Sequence, residues 1–173
     1  LVATWTDEKW RPLGSGVYSQ VISFAEDGAG NVFTGVGNSG AHEAGGIRFN
    51  YVAKFGGSSW SAVGNPEVFP SNMVYDSETG NLFVGGLANS VGKVSRWDGV
   101  NWVVLGGDFN GEIYAVALDD MGNLYAGGSF TTVGGMPANH IAKWNGASWE
   151  ALGSGTQYTV SAILHSGGVL YVS

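Results

Sequence analysis

Two sequence patterns recur in phase along this chain of 173 residues, and their repetition restricts the fold more than any other feature. The first pattern is an aromatic residue, four other residues, Trp, two residues, an aliphatic residue and Gly. Its four copies begin at Trp5, Phe55, Trp97 and Trp144. The second pattern is a Gly-rich turn followed by an alternating segment, and its copies read EDGAGNVFTGVG, DSETGNLFVGGL, DDMGNLYAGGSF and HSGGVLYVS. Because the two patterns keep the same order, we interpret the chain as a series of like units.

Each unit is predicted to contain four β-strands. Alternation with a period of two, as at Ile113, Ala115 and Ala117, is typical of half-buried strands. Turns rich in Asp, Asn and Gly separate the segments and favour hairpins, because these residues accept positive φ. The predicted first strands are Val17–Ala25, Ser71–Tyr75, Glu112–Leu118 and Thr159–Leu164, and the second strands are Val32–Gly35, Leu82–Gly86, Leu124–Phe130 and Val169–Ser173. The third strands are Tyr51–Phe55, Val94–Trp97, Ile141–Trp144 and Val2–Trp5, and the fourth are Trp60–Val63, Trp102–Leu105, Trp149–Leu152 and Trp10–Leu13.

A repeated four-stranded unit of about 40–50 residues indicates a β-propeller, in which antiparallel blades pack face to face around a channel. We therefore predict an all-β fold with four blades in a single domain over residues 1–173. The blades cover about 17–63, 69–105, 112–152, and 159–173 together with 2–13, so that one blade is split between the two ends of the chain. Such a chain could close into a four-bladed ring, be a window of a longer propeller, or close by pairing with an identical chain.

The segments LYAGG, WNGASWEALG and VLYVS resemble the kelch repeat, in which a glycine doublet follows an apolar strand and a Trp lies near the last strand. The resemblance extends over essentially the whole chain and is nearest to kelch-like units of large secreted or surface-anchored bacterial proteins. It implies a propeller fold and an extracellular or cell-surface location. NHL-type propellers are a near relative, because they share the GNLY hairpin. Galactose oxidase is a kelch-like copper enzyme whose cofactor needs a Cys, and since this chain has no Cys, its activity is not expected here.

The charge balance excludes some classes of partner. The net charge is −7 and the seven Lys and Arg residues form no run, whereas binding to nucleic acid needs clustered cations. No apolar run reaches the ~18 residues of a membrane-spanning helix, so we expect no membrane insertion. The chain begins at Leu1 without a signal peptide, and we expect it to be a mature segment or a fragment of a longer protein.

The repeated aromatic residues are predicted to fill the space between neighbouring blades, where large flat side chains bury the most area. The glycine doublets, such as Gly127–Gly128, are expected to permit a bulge or a close backbone approach near the channel. Acidic residues in the turns, such as Asp27 and Asp119, are expected to bond their own backbone rather than Ca²⁺. The predicted inter-blade aromatics are Trp5, Trp10, Phe55, Trp60, Trp97, Trp102, Trp144 and Trp149.

The loops on one face of the predicted propeller are the candidates for a binding surface, because loops on a rigid scaffold carry binding residues. Two long loops between second and third strands, Gly37–Asn50 and Ser129–His140, share this face with the loops that join the blades. Their side chains are predicted to form a shallow polar and aromatic ligand-binding surface. The candidate residues are Tyr18, His42, Glu43, Arg48, Phe69, Phe109, His140 and Tyr158.

Three hypotheses for the function follow. The uniform repeats, the few ionisable groups and the lack of a catalytic motif favour a non-catalytic module for scaffolding, adhesion or assembly, with another protein or a second copy as its partner. The alternative is a lectin-like module that binds glycans through Tyr18, Phe109 and Tyr158. A second alternative is a polysaccharide lyase or hydrolase that uses His42, Glu43 and His140. No cofactor or metal is expected, because the three His residues lack metal-ligand spacing.

Overall fold

The computed structural model describes residues 2–37 and 42–173, which form β-strands and turns and, within these ranges, no helix. The strands of the first half are β1 (Ala3–Thr6), β2 (Lys9–Pro12), β3 (Val21–Glu26), β4 (Val32–Val36), β5 (His42–Ala44), β6 (Ile47–Phe49), β7 (Val52–Phe55), β8 (Trp60–Ala62), β9 (Phe69–Asp76) and β10 (Asn81–Ala88). Those of the second half are β11 (Val91–Trp97), β12 (Trp102–Phe109), β13 (Ile113–Leu118), β14 (Leu124–Gly128), β15 (Thr132–Val133), β16 (Met136–Pro137), β17 (Ile141–Trp144), β18 (Trp149–Ala151), β19 (Ile163–Ser166) and β20 (Val169–Val172).

These strands form antiparallel sheets in which neighbours along the chain are mostly neighbours in space. The first sheet has the order β3-β4-β7-β8, and the third sheet has the order β13-β14-β17-β18. The second sheet has the order β9-β10-β11-β12 and is extended at its outer edge by β15 and β16. Three further sheets have two strands each, namely the N-terminal hairpin, β1–β2, the C-terminal hairpin, β19–β20, and the hairpin β5–β6. The prediction of an all-β chain made of antiparallel sheets is confirmed.

Several predicted strand boundaries are wrong. The strand predicted at Val17–Ala25 begins at Val21, because Val17 forms a bridge with Ala44 instead of joining the first sheet. The strand predicted at Thr159–Leu164 is observed at Ile163–Ser166. Strand β12 continues to Phe109, beyond the predicted end at Leu105, because it gains a partner in β15.

The two segments predicted as long loops, Gly37–Asn50 and Ser129–His140, each contain a short hairpin that was not predicted. The first clasp, β5–β6, turns at Gly45 and Gly46 with φ of 60° and 80°, and the second clasp, β15–β16, turns at Gly134 and Gly135 with φ of 56° and 80°. Positive φ at both central residues is the geometry of the two-residue hairpin turn that matches strand twist. Residues 38–41 of the predicted loop Gly37–Asn50 lie outside the described residues.

Each clasp pairs with the connector that enters its own unit. In the second clasp, Val133 lies opposite Phe109, and the Gly134 N–H donates to the carbonyl oxygen of Asp108 over 3.0 Å. In the first clasp, the carbonyl oxygen of Glu43 accepts a hydrogen bond of 2.9 Å from the Tyr18 N–H. The clasps therefore tie each sheet to the chain segment that arrives from the sheet before it.

Neighbouring sheets pack through their first strands, with β3 against β9, β9 against β13, and β13 against β19. The first glycine of each doublet faces the next sheet. A Cβ atom at Gly85 would lie 2.7 Å from Cγ1 of Val116, and one at Gly127 would lie 2.5 Å from Cγ1 of Val160. The lack of a side chain at these positions lets the sheets approach closely.

The second glycine of the doublet accompanies a β-bulge. The register between β9 and β10 shifts between Gly85 and Gly86. The register between β13 and β14 shifts at the equivalent glycines, Gly127 and Gly128. A Cβ atom at Gly86 would lie 1.9 Å from the carbonyl oxygen of Phe69, and one at Gly128 would lie 1.9 Å from that of Glu112. Both predicted uses of the doublet, the bulge and the close approach, therefore occur in the same sheets.

The second aromatic residue of the first pattern connects successive sheets by a hydrogen bond. The indole Nε1 of Trp60 donates to the carbonyl oxygen of Leu13 over 3.0 Å, and Nε1 of Trp102 donates to that of Val63. Both acceptors follow the fourth strand of the preceding unit. Trp149 is buried in the third sheet, but its Nε1 has no hydrogen-bond partner among the described residues.

The core lies between the sheets and forms three clusters of buried residues. The cluster beside the N-terminal hairpin includes Val2, Phe55 and Trp60, the one between the first and second sheets includes Phe33, Met73 and Leu82, and the one between the second and third sheets includes Phe83, Val116 and Trp149. The three spaces between the N-terminal hairpin and the third sheet therefore each have their own hydrophobic filling.

Candidate functional site

The first clasp carries three of the predicted binding residues, and only two of them face solvent. Glu43 and Arg48 lie opposite each other on β5 and β6 and are exposed. His42 is buried, with its ring centroid 5.6 Å from those of Phe49 and Tyr51. Its Nδ1 lies 2.9 Å from the hydroxyl of Ser19, and its Nε2 has no partner among the residues that the structure describes. His42 therefore supports the clasp from inside and is not part of an open surface.

Phe109 is not available to a ligand, contrary to the prediction. It is fully buried, with ring centroids of Phe130 and Trp149 at 4.6 Å and 5.0 Å in edge-to-face geometry. The physical reason is the extension of β12, which places Phe109 opposite Val133 and beneath the second clasp. Its aromatic ring therefore belongs to the core between the second and third sheets.

His140 lies on a different sheet from His42, immediately before β17. Its backbone has a φ of 73°, and its N–H donates to the carbonyl oxygen of Phe130 over 2.8 Å. Its Nδ1 is buried without a hydrogen-bond partner in the described part of the chain. Across residues 2–37 and 42–173, no three His, Cys, Asp or Glu side chains come close enough together to hold a metal ion.

The remaining predicted ligand residues are exposed, but to different degrees. Tyr18 and Tyr158 project into solvent, and Phe69 is 37% exposed beside Tyr51, with ring centroids 4.8 Å apart. Phe69 and Tyr51 line a cleft of about 660 Å³ between the first and second sheets. Of the residues that line this cleft, the sequence analysis therefore predicted only Phe69 as a binding residue.

The predicted inter-blade aromatics form pairs across third and fourth strands. The ring centroids are 5.2 Å apart for Phe55 and Trp60, 5.5 Å for Trp97 and Trp102, and 5.4 Å for Trp144 and Trp149. Trp5 and Trp10 form the same kind of pair at 5.4 Å, but they are 57% and 70% exposed. The N-terminal hairpin therefore exposes its aromatic pair, whereas the corresponding pairs in the first, second and third sheets are more deeply buried.

Acidic residues in the turns bond to their own turns. Burial by itself raises the pKa of Asp119, but hydrogen bonds from the side chain and backbone of Asn123 and from the hydroxyl of Tyr125 outweigh it and lower that pKa to about 2. Burial also opposes ionisation of Asp27, and hydrogen bonds from Asn31 and Lys54 lower its pKa to about 2. These carboxylates are engaged in the hairpins that join first and second strands.

The two end hairpins each leave both outer strand edges without a ladder partner in the described residues, and β1 and β20 are the strands whose edges the repeat would pair. β1 pairs only with β2, and β20 pairs only with β19. Apolar side chains are exposed on both hairpins, and Tyr171 on β20 is 56% exposed. The joining of these two hairpins into one four-stranded blade stays a prediction.

No known family model matches the chain, and no curated protein is similar enough to it to count as a relative. In the parts of the chain that the structure describes, no helix is long and apolar enough to cross a membrane. The function is therefore inferred from the geometry of the chain's own residues.

Proposed function

We propose that this chain is a non-catalytic, kelch-like β-propeller module of a secreted or surface-attached bacterial protein, and that it assembles through its two end hairpins. Its partner is a second copy of the same chain, which gives the module a role in scaffolding or adhesion. The observation that supports this proposal is the complementarity between the free edges of β1 and β20. An exposed strand edge is a template for pairing with another chain.

The complementarity extends to individual residues. In the three complete sheets, the second strand pairs with the third so that Val32 lies opposite Phe55, Leu82 opposite Trp97, and Leu124 opposite Trp144. By the sequence repeat, β20 is a second strand and β1 is a third strand. Val160 and Ile163 pack on Gly127 as Ile113 and Val116 pack on Gly85, which aligns His165 with Leu118 and its partner Leu170 with Leu124. The same register would place Leu170 opposite Trp5, and Tyr171 opposite Thr4.

The pairing would complete a blade from two halves. The C-terminal hairpin would supply the first and second strands, and the N-terminal hairpin of the partner would supply the third and fourth. The exposed pair of Trp5 and Trp10 would then belong to the third and fourth strands of a four-stranded sheet, as Trp97 and Trp102 belong to those strands of the second sheet. Burial of aromatic and aliphatic side chains contributes about 25 cal/mol per Å² of apolar surface.

The test is a disulfide across the proposed pair. The chain has no Cys, so Thr4→Cys and Tyr171→Cys provide its only two thiols. Residues opposite each other in antiparallel strands have Cα atoms about 4.5–5.5 Å apart, within the ~4.4–6.8 Å range of disulfides. We expect mild oxidation to give covalent dimers and longer species on a non-reducing gel, and a matched variant with Thr4→Cys and Val100→Cys to stay monomeric.

Two outcomes would contradict assembly with a second copy. A monomer with a fast-migrating, internally cross-linked band would show that the two hairpins of one chain pair and close a ring. Absence of any cross-link, with a monomeric mass by light scattering at high concentration, would reject the pairing of these edges altogether.

A further inference from the structure

The cleft of about 660 Å³ lies where the first and second sheets meet. Its walls come from Tyr51 before β7, from the connector between β8 and β9 that contains Asn65 and Glu67, and from Asn89 in the turn between β10 and β11. Small-molecule sites in proteins are typically clefts of ~300–1,000 Å³. None of the residues that line it belongs to an end hairpin, so this site is independent of the assembly proposed above.

The aromatic wall of the cleft is not required by the repeat. Phe69 lies opposite Leu87, and the equivalent position in the third sheet is Glu112. Tyr51 lies immediately before β7, where the third sheet has His140 before β17. Since the third sheet has a carboxylate and an imidazole at these positions, the fold does not require aromatic residues there. The contact between Tyr51 and Phe69 therefore points to a binding role for the cleft between the first and second sheets.

Polar groups surround the aromatic pair. The Oδ1 atom of Asn65 accepts a hydrogen bond of 3.1 Å from the Glu67 N–H, which positions the side chain and leaves its two amide hydrogens as donors. The carboxylate of Glu67 is an acceptor, and the amide of Asn89 supplies both kinds of group. Lys93 and Asp108, which also line the cleft, pair with each other at 3.4 Å. The cleft therefore offers mixed donors and acceptors without a net positive field.

The backbone around the cleft is held in an unusual conformation. Tyr51, Glu67 and Asn89 have φ of 62°, 60° and 51°, in the left-handed region that L-residues other than Asn rarely adopt. Glycine would adopt this conformation without strain. His140, at the position equivalent to Tyr51, has a φ of 73°, and Asn89 lies in the two-residue turn of a hairpin, so the φ of Glu67 is the one that is specific to this junction.

We propose that this cleft binds a neutral oligosaccharide, with one hexose ring stacked on Phe69 and in edge contact with Tyr51, whose ring is inclined by 60° to that of Phe69. The C–H face of a pyranose is apolar and packs on aromatic rings, while its hydroxyl groups both donate and accept hydrogen bonds. Asn65, Glu67 and Asn89 meet those hydroxyl groups. A polyanionic glycan is disfavoured, because Glu67 and Asp108 outnumber the one cation in the cleft, Lys93.

The experiment uses cellobiose, maltose, lactose and chitobiose as probes, titrated into the ¹⁵N-labelled chain. We expect at least one of them to give saturable shifts of the Asn65 and Asn89 side-chain amide signals. Phe69→Ala is expected to weaken binding about tenfold or more. Asn89→Gly removes the amide but accepts the same positive φ, and it is expected to weaken binding several-fold while the thermal unfolding midpoint changes little.

Tyr114→Ala is the matched control, because Tyr114 is an aromatic residue that is 36% exposed, close to the 37% of Phe69, and lies outside the cleft. Its affinity for the probe is expected to equal that of the parent chain. The absence of saturable shifts with all four disaccharides would overturn the proposal. Binding that is unchanged in Phe69→Ala would overturn it too, because the sugar would then lie elsewhere.

Discussion

The indole nitrogen of Trp60 donates a hydrogen bond of 3.0 Å to the carbonyl oxygen of Leu13, which belongs to the preceding hairpin. Trp102 makes the same contact with Val63, one sheet further along. The repeated Trp is therefore both a filler of the space between sheets and a donor that satisfies a specific backbone carbonyl. This dual role accounts for Trp at the start of β8 and of β12, whereas Trp149 at the start of β18 fills space without such a bond in the described residues.

Trp60→Phe should therefore cost stability while leaving the fold intact. The aromatic volume largely remains, but the hydrogen bond to Leu13 is lost, and we expect the free energy of unfolding to fall by about 1–2 kcal/mol. Urea denaturation followed by circular dichroism measures the change. Trp10→Phe is the control, because Trp10 is exposed, and a loss as large as that of Trp60→Phe would contradict the interpretation.

Gly128→Ala should be among the most damaging single substitutions in the chain. Its Cβ atom would lie 1.9 Å from the carbonyl oxygen of Glu112, so the bulge between β13 and β14 would have to open. We expect a loss of about 3 kcal/mol or more, or no folded protein. Gly106→Ala is the control, because a Cβ atom there meets nothing within 4 Å; equal stability of the two variants would reject this account.

Asp119 should make stability depend on pH in the acid range. Its pKa is lowered from 3.8 to about 2 in the folded chain, so its contribution is fully present above about pH 4 and is lost as the pH falls through about 2. Asp119→Asn cannot ionise, and we expect the stability difference from the parent chain to be large at pH 7 and to shrink towards pH 2. Urea titrations at several pH values measure it, with Glu8→Gln as an exposed control. A difference that does not change with pH would contradict the role of the carboxylate.

Asn110 should hold the second clasp in place. Its Oδ1 accepts hydrogen bonds of 2.7 Å and 2.9 Å from the N–H groups of Thr131 and Thr132, and its Nδ2 donates to the Thr131 hydroxyl over 2.9 Å. We expect Asn110→Ala to speed amide hydrogen exchange at Thr131 and Thr132 by about tenfold or more, while β13 and β14 keep their protection. Asn101→Ala, in an exposed turn, serves as the control. Unchanged exchange at the clasp would show that strand pairing alone holds it.

The sequence predicted those strands whose apolar or Trp pattern lies within the strand itself. Alternation marked β13, and the Trp pattern marked β17 and β18, because a strand with one buried face repeats its apolar residues every second position. The clasps were missed because each of their strands has only two or three residues, too few for a period. The one local signal was the glycine pair, Gly45–Gly46 and Gly134–Gly135, which is typical of a tight hairpin turn.

The candidate sites were harder to predict because they depend on contacts between units. Phe109 has the sequence context of a loop residue, and its burial follows only from pairing with Val133, which belongs to the next unit. The cleft beside Phe69 depends on Tyr51 and Asn89, which lie in two different sheets and have no shared sequence pattern. The positive φ of Tyr51 and of Glu67 could not be predicted from the residue type, because Tyr and Glu do not favour positive φ.

The bond between Trp60 and Leu13 also has a direction along the chain. During synthesis, each acceptor carbonyl precedes its Trp donor in the chain. Leu13 precedes Trp60 by 47 positions, and Val63 precedes Trp102 by 39 positions. A chain emerging from the ribosome would therefore satisfy each of these carbonyl groups only after the fourth strand of the next sheet has been made. Folding of this kind proceeds from neighbour to neighbour, as in a linear array, and at each moment the newest sheet is the one whose carbonyl still lacks its Trp donor.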